Sequence, residues 1–306
     1  MKNLLSLLFL FNLSINAQEF KTVTYFTNDS LKLELDLFLP KGKPVGGKTP
    51  LLIYVHGGGF GGGQRTDGHH ICSYAAAKGY AAASITYSLY MKGKDFSCGG
   101  ILTEKVKAIQ IAANQLQQAV VFFIDNKERY NIDPAKIFIS GSSAGAETVL
   151  HAAFWEESML KMYGGRLPAG FKYAGAISGA GAIMDINLIS KSTQVPVLLF
   201  HGSCDRTVPY ATAAHHYCPA GSSGWLMLFG SHSIYNRIMT LGGSTHLVTY
   251  CGGGHDYSDM LFAKGQQTII DFMGHVLEGG KEQSHTIIPT GKECQADNGY
   301  EFCNGK

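Results

Sequence analysis

The sequence predicts an α/β fold, a mainly parallel twisted sheet with helices on both faces, and three observations carry that expectation. Short, continuous apolar runs recur along the chain, as strands buried on both faces require. Longer stretches of helical character lie between them, so consecutive strands must be joined by right-handed crossovers. Glycines gather at the junctions, at Gly57 to Gly63, at Gly141 and Gly145, and at Gly252 to Gly254, where backbone must turn tightly or approach something closely.

The elements read as follows. Lys21 to Pro40 alternates, with Leu31, Leu33, Leu35, Leu37 and Leu39 on one face, which predicts a half-buried antiparallel strand. Lys41 to Pro50 reads as a turn, and Leu51 to Val55 as a buried strand. Ile71 to Lys78 predicts a helix closed by Gly79, followed by a strand from Tyr80 to Ile85. A helix is expected over Thr103 to Arg129, a strand over Ile137 to Ser140, and a helix over Ala144 to Trp155. Strands are expected again at Ala174 to Ser178 and Val197 to Phe200, then helix 231–241, strand 246–250 and helix 258–277. Ala211 to Gly230 is looser and reads as a local insertion over the sheet's upper edge.

The first seventeen residues have the pattern of a signal sequence. Lys2 supplies a positive start, Leu4 to Leu13 form an apolar run broken only by Ser6 and Asn12, and Ile15-Asn16-Ala17 offers a cleavage site. The run is too short for a bilayer span, and no later stretch is long and apolar enough, so an exported chain, periplasmic or secreted, with no membrane partner after signal removal is expected. The remaining 18–279 suit one catalytic domain, and 280–306 reads as a polar C-terminal tail. A net charge of +2, with 16% charged residues, gives no electrostatic case for nucleic acid.

Seven cysteines lie beyond the signal-like segment, which leaves at least one unpaired or intermolecular. Cys294 and Cys303 are near enough in sequence to close a small loop in the tail, and Cys204 and Cys251 to bridge two loops described below. Spacing alone decides neither. Metal is not expected: there is no repeated C-x-x-C and no H-E-x-x-H. His69-His70 and His215-His216 lack cysteine or carboxylate partners at ligand spacing and read as surface residues.

The sharpest chemical signal is Gly141-Ser142-Ser143-Ala144-Gly145, set directly between a predicted strand and a predicted helix. A serine there sits on a sharp turn that lifts its hydroxyl out of the sheet. A lone hydroxyl is a poor nucleophile, so a base and an orienting acid must accompany it. Following an elbow of this kind, the acid comes next in the chain and the histidine last. Asp205 lies just past the strand Val197–Phe200, and His255 lies in the glycine loop after the strand 246–250, both at the edge where α/β sheets place their sites. Asp256 adjoins His255 and is aimed away from the imidazole by that adjacency. His56-Gly57-Gly58-Gly59-Phe60 follows another strand and supplies backbone N–H groups of the kind that stabilise an oxyanion, each worth about 3 kcal/mol. His56 itself reads as a structural hydrogen-bonder. A phosphate loop is excluded, since no Gly-Lys-Ser/Thr ends the run.

With these residues assembled, the chain resembles the carboxylesterase/hormone-sensitive-lipase branch of the α/β-hydrolases, and more closely small bacterial esterases grouped with feruloyl and acetyl-xylan esterases. The resemblance runs from about residue 30 to 277. It is carried by the HGGGF loop, Tyr130 to Ile137 before the elbow, GSSAG, HGSCDRTVP and the GGGHDY loop. It implies Ser143 as nucleophile, His255 as base and Asp205 as acid, with Gly57, Gly58 and Ala144 as oxyanion donors and no cofactor. Phe60, Tyr87 and Trp225 are the expected substrate-contacting aromatics, while Glu147 can be read as a buried polar contact or an exposed helix residue. Only about thirty residues precede the HGGG strand, too few for the helical cap of hormone-sensitive lipases, so an open pocket for short or aromatic acyl esters is expected, with acetyl or feruloyl groups on plant polysaccharide foremost. A prolyl-oligopeptidase-like peptidase and a non-catalytic binding module are the rival readings. The first lacks a visible propeller or clamp, and the second conflicts with a complete triad.

Overall fold

The computed structural model describes residues 19–41, 47–155, 167–294 and 299–304. The signal-like segment 1–17 and the middle of the turn 41–50 lie outside the described residues. The chain begins with β1 (Phe20–Thr27) and β2 (Lys32–Phe38), an antiparallel hairpin where the leucine pattern suggested one strand. Asn28 makes the reversal: its Oδ1 accepts from the Ser30 N–H at 3.0 Å, and its own N–H donates to the Leu31 carbonyl at 2.9 Å. The alternation holds on β2, which buries Leu33, Leu35 and Leu37.

Next come β3 (Thr49–Val55), α1 (His69–Ala77), β4 (Ala81–Ile85), α2 (Leu102–Asp125), β5 (Ile132–Ser142) and α3 (Ala144–Phe154). They are followed by β6 (Gly175–Gly179), β7 (Ala182–Ile183), β8 (Val197–Gly202), β9 (Thr212–Ala214), β10 (Met227–Gly230) and α4 (Ser231–Thr240). β11 (Thr245–Cys251), α5 (Gln266–Leu277) and β12 (Gln283–Pro289) complete the order. Two expected helices are divided. The first stops where the Asn126 side chain donates to the Phe122 carbonyl at 2.9 Å, with Lys127–Tyr130 as a separate turn. The second breaks at Gly265 into Met260–Ala263 and α5.

The main sheet has the order β1-β2-β4-β3-β5-β6-β8-β11-β12. β2 is antiparallel to both β1 and β4, and every pairing from β4 to β12 is parallel. The period of two along each strand then decides which side chain meets which helix layer. Leu51, Ile53, Val55, Ile137, Ile139, Val197 and Leu199 pack with α2, α3 and α4. Leu52, Tyr54, Phe138, Leu198, Phe200 and Val248 pack with α1 and α5 on the opposite face. These strands are apolar throughout because both faces are covered, and the whole has the α/β-hydrolase architecture.

Three features differ from the sequence reading. The polar segment after Gly279 is more than a tail: Gln283–Pro289 adds β12 in parallel to β11 at the sheet edge, with seven residues in register from Thr245↔Gln283 to Cys251↔Pro289. Its polarity suits an edge strand, and Pro289 closes it. Ala211–Gly230 is also ordered, since β9 and β10 pair antiparallel and β7 joins them in a small second sheet. The cysteines pair as Cys98–Cys218, Cys204–Cys294 and Cys251–Cys303, with Cys72 free and buried. The tail is therefore not closed on itself, nor is Cys204 joined to Cys251. Each of those two loop cysteines is tied to the tail, because β12 carries residues 294 and 303 back over the end of β11.

Long loops closed by disulfides remove much unfolded-state entropy, which makes the tail a structural clamp. Replacing Cys303 with Ser is expected to lower the unfolding free energy by about 2–4 kcal/mol in urea under oxidising conditions. An unchanged midpoint would show that the clamp contributes nothing to stability.

Candidate active site

Ser143 occupies the turn between β5 and α3 with φ +53° and ψ −123°, a conformation that non-glycine residues rarely adopt. The surroundings hold it there. Its N–H donates to the Gly179 carbonyl at 2.8 Å, and its carbonyl accepts the first helical bond from Glu147 N–H at 2.9 Å. Both flanking glycines are required by space. A Cβ on Gly145 would fall 2.0 Å from the Val55 carbonyl oxygen, and one on Gly141 would fall 2.5 Å from the Gly145 backbone. The end of β3 is thus pressed against the elbow, and no larger residue fits.

The Ser143 Oγ lies 2.8 Å from His255 Nε2, and His255 Nδ1 lies 2.6 Å from Asp205 Oδ2. With the Nδ1 proton donated to the carboxylate, Nε2 is left to accept the serine proton. Asp205 is fully buried, and its other oxygen accepts backbone N–H bonds from Thr207 at 2.7 Å and Val208 at 3.1 Å. Burial by itself would raise this carboxyl, but hydrogen bonds from His201 and His255 outweigh it and hold the group far below the usual carboxylate range. His201, which the sequence reading gave no role, is buried near the end of β8 and bonds Asp205 Oδ2 at 3.1 Å through Nε2, while its Nδ1 meets Ser231 Oγ at 2.9 Å.

The acid and histidine loops are laced together. Ser203 N–H donates to the Tyr250 carbonyl at 3.0 Å, Cys204 N–H to the Gly253 carbonyl at 2.9 Å, and Gly252 N–H to Ser203 Oγ at 2.9 Å. Asp256 is turned away from the imidazole and paired with Lys292 Nζ at 2.6 Å, an ion pair that lowers its carboxyl.

A cavity of about 650 Å³ opens over the triad, with Gly57, Gly58, Gly59, Ser143, Ala144 and His255 among its walls. A Cβ on Gly57 would come within 3.2 Å of Ser143 Cβ, so the glycine loop abuts the nucleophile. Gly58 has φ +106° and accepts from the N–H groups of Gly61 and Gly62 at 3.1 and 2.9 Å, which folds the loop back on itself. His56 is buried and stacks on Tyr87 with centroids 4.4 Å apart. Tyr87 O–H donates to the His56 carbonyl at 3.1 Å.

The three aromatics expected to meet substrate do not line this cavity. Phe60 is fully buried, Tyr87 braces the glycine loop from behind, and Trp225 is half-buried outside it. Phe96 and Tyr54 are the cavity's aromatics instead. Phe96 stands two residues from the disulfide-bonded Cys98, a link invisible in the sequence. His215 corrects a second expectation: it is a buried residue of the cavity wall, not a surface histidine. His69 pairs with Asp36 at 2.7 Å, and His70 bonds Gln266. Among the described residues, no group of three or more His, Cys, Asp or Glu is arranged to hold a metal ion.

Glu147, left open by its sequence, is buried on α3 and lines the cavity one turn from Ser143. Burial raises its carboxyl from 4.5 to about 8; Lys105 opposes the rise and Asp205 adds to it. The folded protein therefore holds a proton that the unfolded chain releases above its ordinary carboxylate value. That contribution to stability is fully present below pH 4 and is lost as pH rises towards 8. Glu147→Gln has no such proton to lose, so its unfolding free energy should gain on wild type between pH 5 and pH 8. Urea curves at the two pH values that shift in parallel would contradict this.

Comparison with known proteins agrees with this fold. The BD-FAE family model matches residues 35–167. Secreted lipase 1 of Botryotinia fuckeliana (strain B05.10) is 28% identical over 177 residues, which is 56% of this chain and 29% of that protein. The secreted triacylglycerol lipase LIP1 of Gibberella zeae is 26% identical over 168 residues, 53% of this chain and 27% of its own length. The chain thus covers less than a third of these curated relatives. Among solved structures, the propionate-bound esterase Est2 of Thermogutta terrifontis superposes with a TM-score of 0.62 at 17% identity, covering 87% of this chain and 96% of that one. The butyrate-bound form of the same esterase gives 0.62 at 16%, covering 87% and 96%. The chain has the α/β-hydrolase fold and is similar to the BD-FAE family over residues 35–167.

Proposed function

We propose that this chain is an exported serine carboxylic ester hydrolase for short-chain or aromatic acyl esters, with acetyl or feruloyl groups on plant polysaccharide as the first candidates. The observation that carries the reading is the continuous hydrogen-bonded line Ser143–His255–Asp205 opening into a cavity. His255 Nε2 takes the Ser143 proton as Oγ attacks the ester carbonyl, and Asp205 stabilises the imidazolium that forms. The negative charge on the carbonyl oxygen falls to the N–H groups of Gly57, Gly58 and Ala144, the last at the positive end of α3. His255 then protonates the leaving alcohol, and water repeats the cycle on the acyl-enzyme.

The walls favour small or polar esters. Asp67, Lys94, Asp95, Glu147 and Asp259 all face the cavity, and burying an alkyl chain against ionisable groups forfeits their hydration. The short acids bound in the Thermogutta esterase structures point the same way. Export is supported by the signal-like start, by three disulfides, which persist in oxidising compartments, and by the secreted fungal relatives. Among the described residues, no helix is long and apolar enough to cross a membrane.

The decisive assay is hydrolysis of p-nitrophenyl esters from acetate to palmitate. Activity should fall beyond butyrate, and Ser143→Ala should lower kcat by about 10⁴-fold or more. A variant that retains activity would remove Ser143 from the mechanism. A palmitate preference would overturn the short-chain reading. Asp205→Asn, which offers His255 the wrong hydrogen-bonding partner, should cost about 10⁴-fold in kcat with little change in KM. A loss confined to KM would mean that Asp205 shapes binding and not the imidazole.

A further inference from the structure

The triad leaves one group of buried polar side chains in the same cavity without a task. Glu147 is 1% exposed, and its Oε1 has no hydrogen-bond partner. His215, from the turn after β9, is also 1% exposed, and its Nδ1 is likewise unpartnered. The two face each other with Glu147 Oε1 3.7 Å from His215 Nε2, too far for a hydrogen bond. Around them stand Phe96, edge-on to the His215 ring at 5.2 Å, and the fully buried Lys105, whose Nζ is taken by the Gly224 carbonyl at 2.8 Å. Unmet polar atoms in a protein interior are costly, and a fold that keeps two of them beside its nucleophile has left them for a ligand.

Assuming the esterase reading above, we infer that Glu147 and His215 form a specificity subsite that binds a hydroxyl group carried by the ester substrate. A hydroxyl both donates and accepts, and so can serve a carboxyl oxygen and an imidazole nitrogen together. The charges around the pair favour a neutral group. Burial keeps the Glu147 carboxyl protonated at neutral pH, and burial, with His216 and Lys105 nearby, keeps His215 neutral. A substrate anion would meet Asp95 and Asp205, and a cation would meet Lys105.

The position fits the reaction. Glu147 lies on α3, which packs on one face of the sheet, whereas Tyr54, whose hydroxyl donates to Asp259 Oδ1 at 3.3 Å, packs with α1 and α5 on the other face. The cavity thus takes walls from both faces of the sheet, with Ser143 among them, so that either the acyl or the alcohol part of an ester bound at Ser143 meets Glu147 and His215. The hydroxyl therefore comes from a hydroxyaryl acid or from a polyol alcohol.

Two isosteric pairs separate those sources. The methyl ester of para-hydroxyphenylacetic acid is compared with that of para-tolylacetic acid, and hydroxyethyl acetate with propyl acetate. The disulfide-bonded protein should prefer the hydroxyl member of one pair by about 10-fold or more in kcat/KM. The acyl pair responds if the group is on the acid, the acetate pair if it is on the alcohol. Glu147→Leu should bring that ratio close to one and Glu147→Gln should keep part of it. Comparing two esters on one protein cancels any general loss of activity. Should Glu147→Leu fail to fold, the Ser143→Ala protein decides the matter by thermal shift, since the hydroxyl ester must raise its Tm more than the isostere does. Ratios near one for both pairs in wild type, or an unchanged ratio in a folded Glu147→Leu, overturn the subsite while leaving the esterase intact. A wild type inert on all four esters and on p-nitrophenyl acetate overturns the esterase reading itself.

Discussion

The approach of β3 to the β5–α3 turn is the constraint on which the rest of this molecule depends. Gly141 and Gly145 let the Val55 and His56 carbonyls come so near the elbow that a single methyl group would collide. That contact does two things at once. It holds Ser143 at a positive φ, which raises its hydroxyl above the sheet, and it brings the glycine loop of residues 57–59 against the nucleophile. Strain of this sort costs on the order of 1–3 kcal/mol and persists only because the packed strands over-determine it. A large, doubly covered sheet is what makes such a turn tolerable.

The other catalytic groups are held by a different device. Asp205 and His255 sit on loops after β8 and β11, which are adjacent and parallel. Backbone and side-chain hydrogen bonds lace the loops to each other, and two disulfides tie both to the segment around β12. A ninth strand at the sheet edge therefore has a purpose beyond covering β11, because it returns Cys294 and Cys303 to the site. Loops that are mobile in isolation become parts of one cross-linked surface. His201 adds to this by bonding the same Asp205 oxygen, Oδ2, that His255 bonds, so that the carboxylate remains charged and oriented although it is buried.

The cavity itself is a mixed environment. Its glycine and elbow walls present backbone, while the end reached by Phe96, Glu147 and His215 is polar yet nearly closed to solvent. Desolvation there drives the ionisable groups towards neutrality, Glu147 by holding its proton and His215 by shedding its own. Neutral hydrogen-bonding groups next to a nucleophile suit recognition of an uncharged polar substrate better than attraction of an ion.

By itself, the sequence determined the alternation of strands and helices, the elbow at Ser143, and the order in which Asp205 and His255 follow it. Those features depend on local composition: apolar runs buried on both faces, and glycines demanded at turns. What only the tertiary structure decided depends on contacts between distant segments. Polar Gln283–Pro289 became a strand because β11 offered it a parallel edge, although Thr286-Ile287-Ile288 was its sole β-branched hint. Disulfide partners followed from where β12 delivers the tail, not from spacing. Phe60 and Tyr87 were drawn beneath the glycine loop, and Phe96, Glu147 and His215 were gathered at the cavity from α3 and from the two loops that Cys98–Cys218 joins. A period of two or 3.6 tells which face of an element is buried, but only the packing of several elements tells whether that buried face meets a core or a substrate.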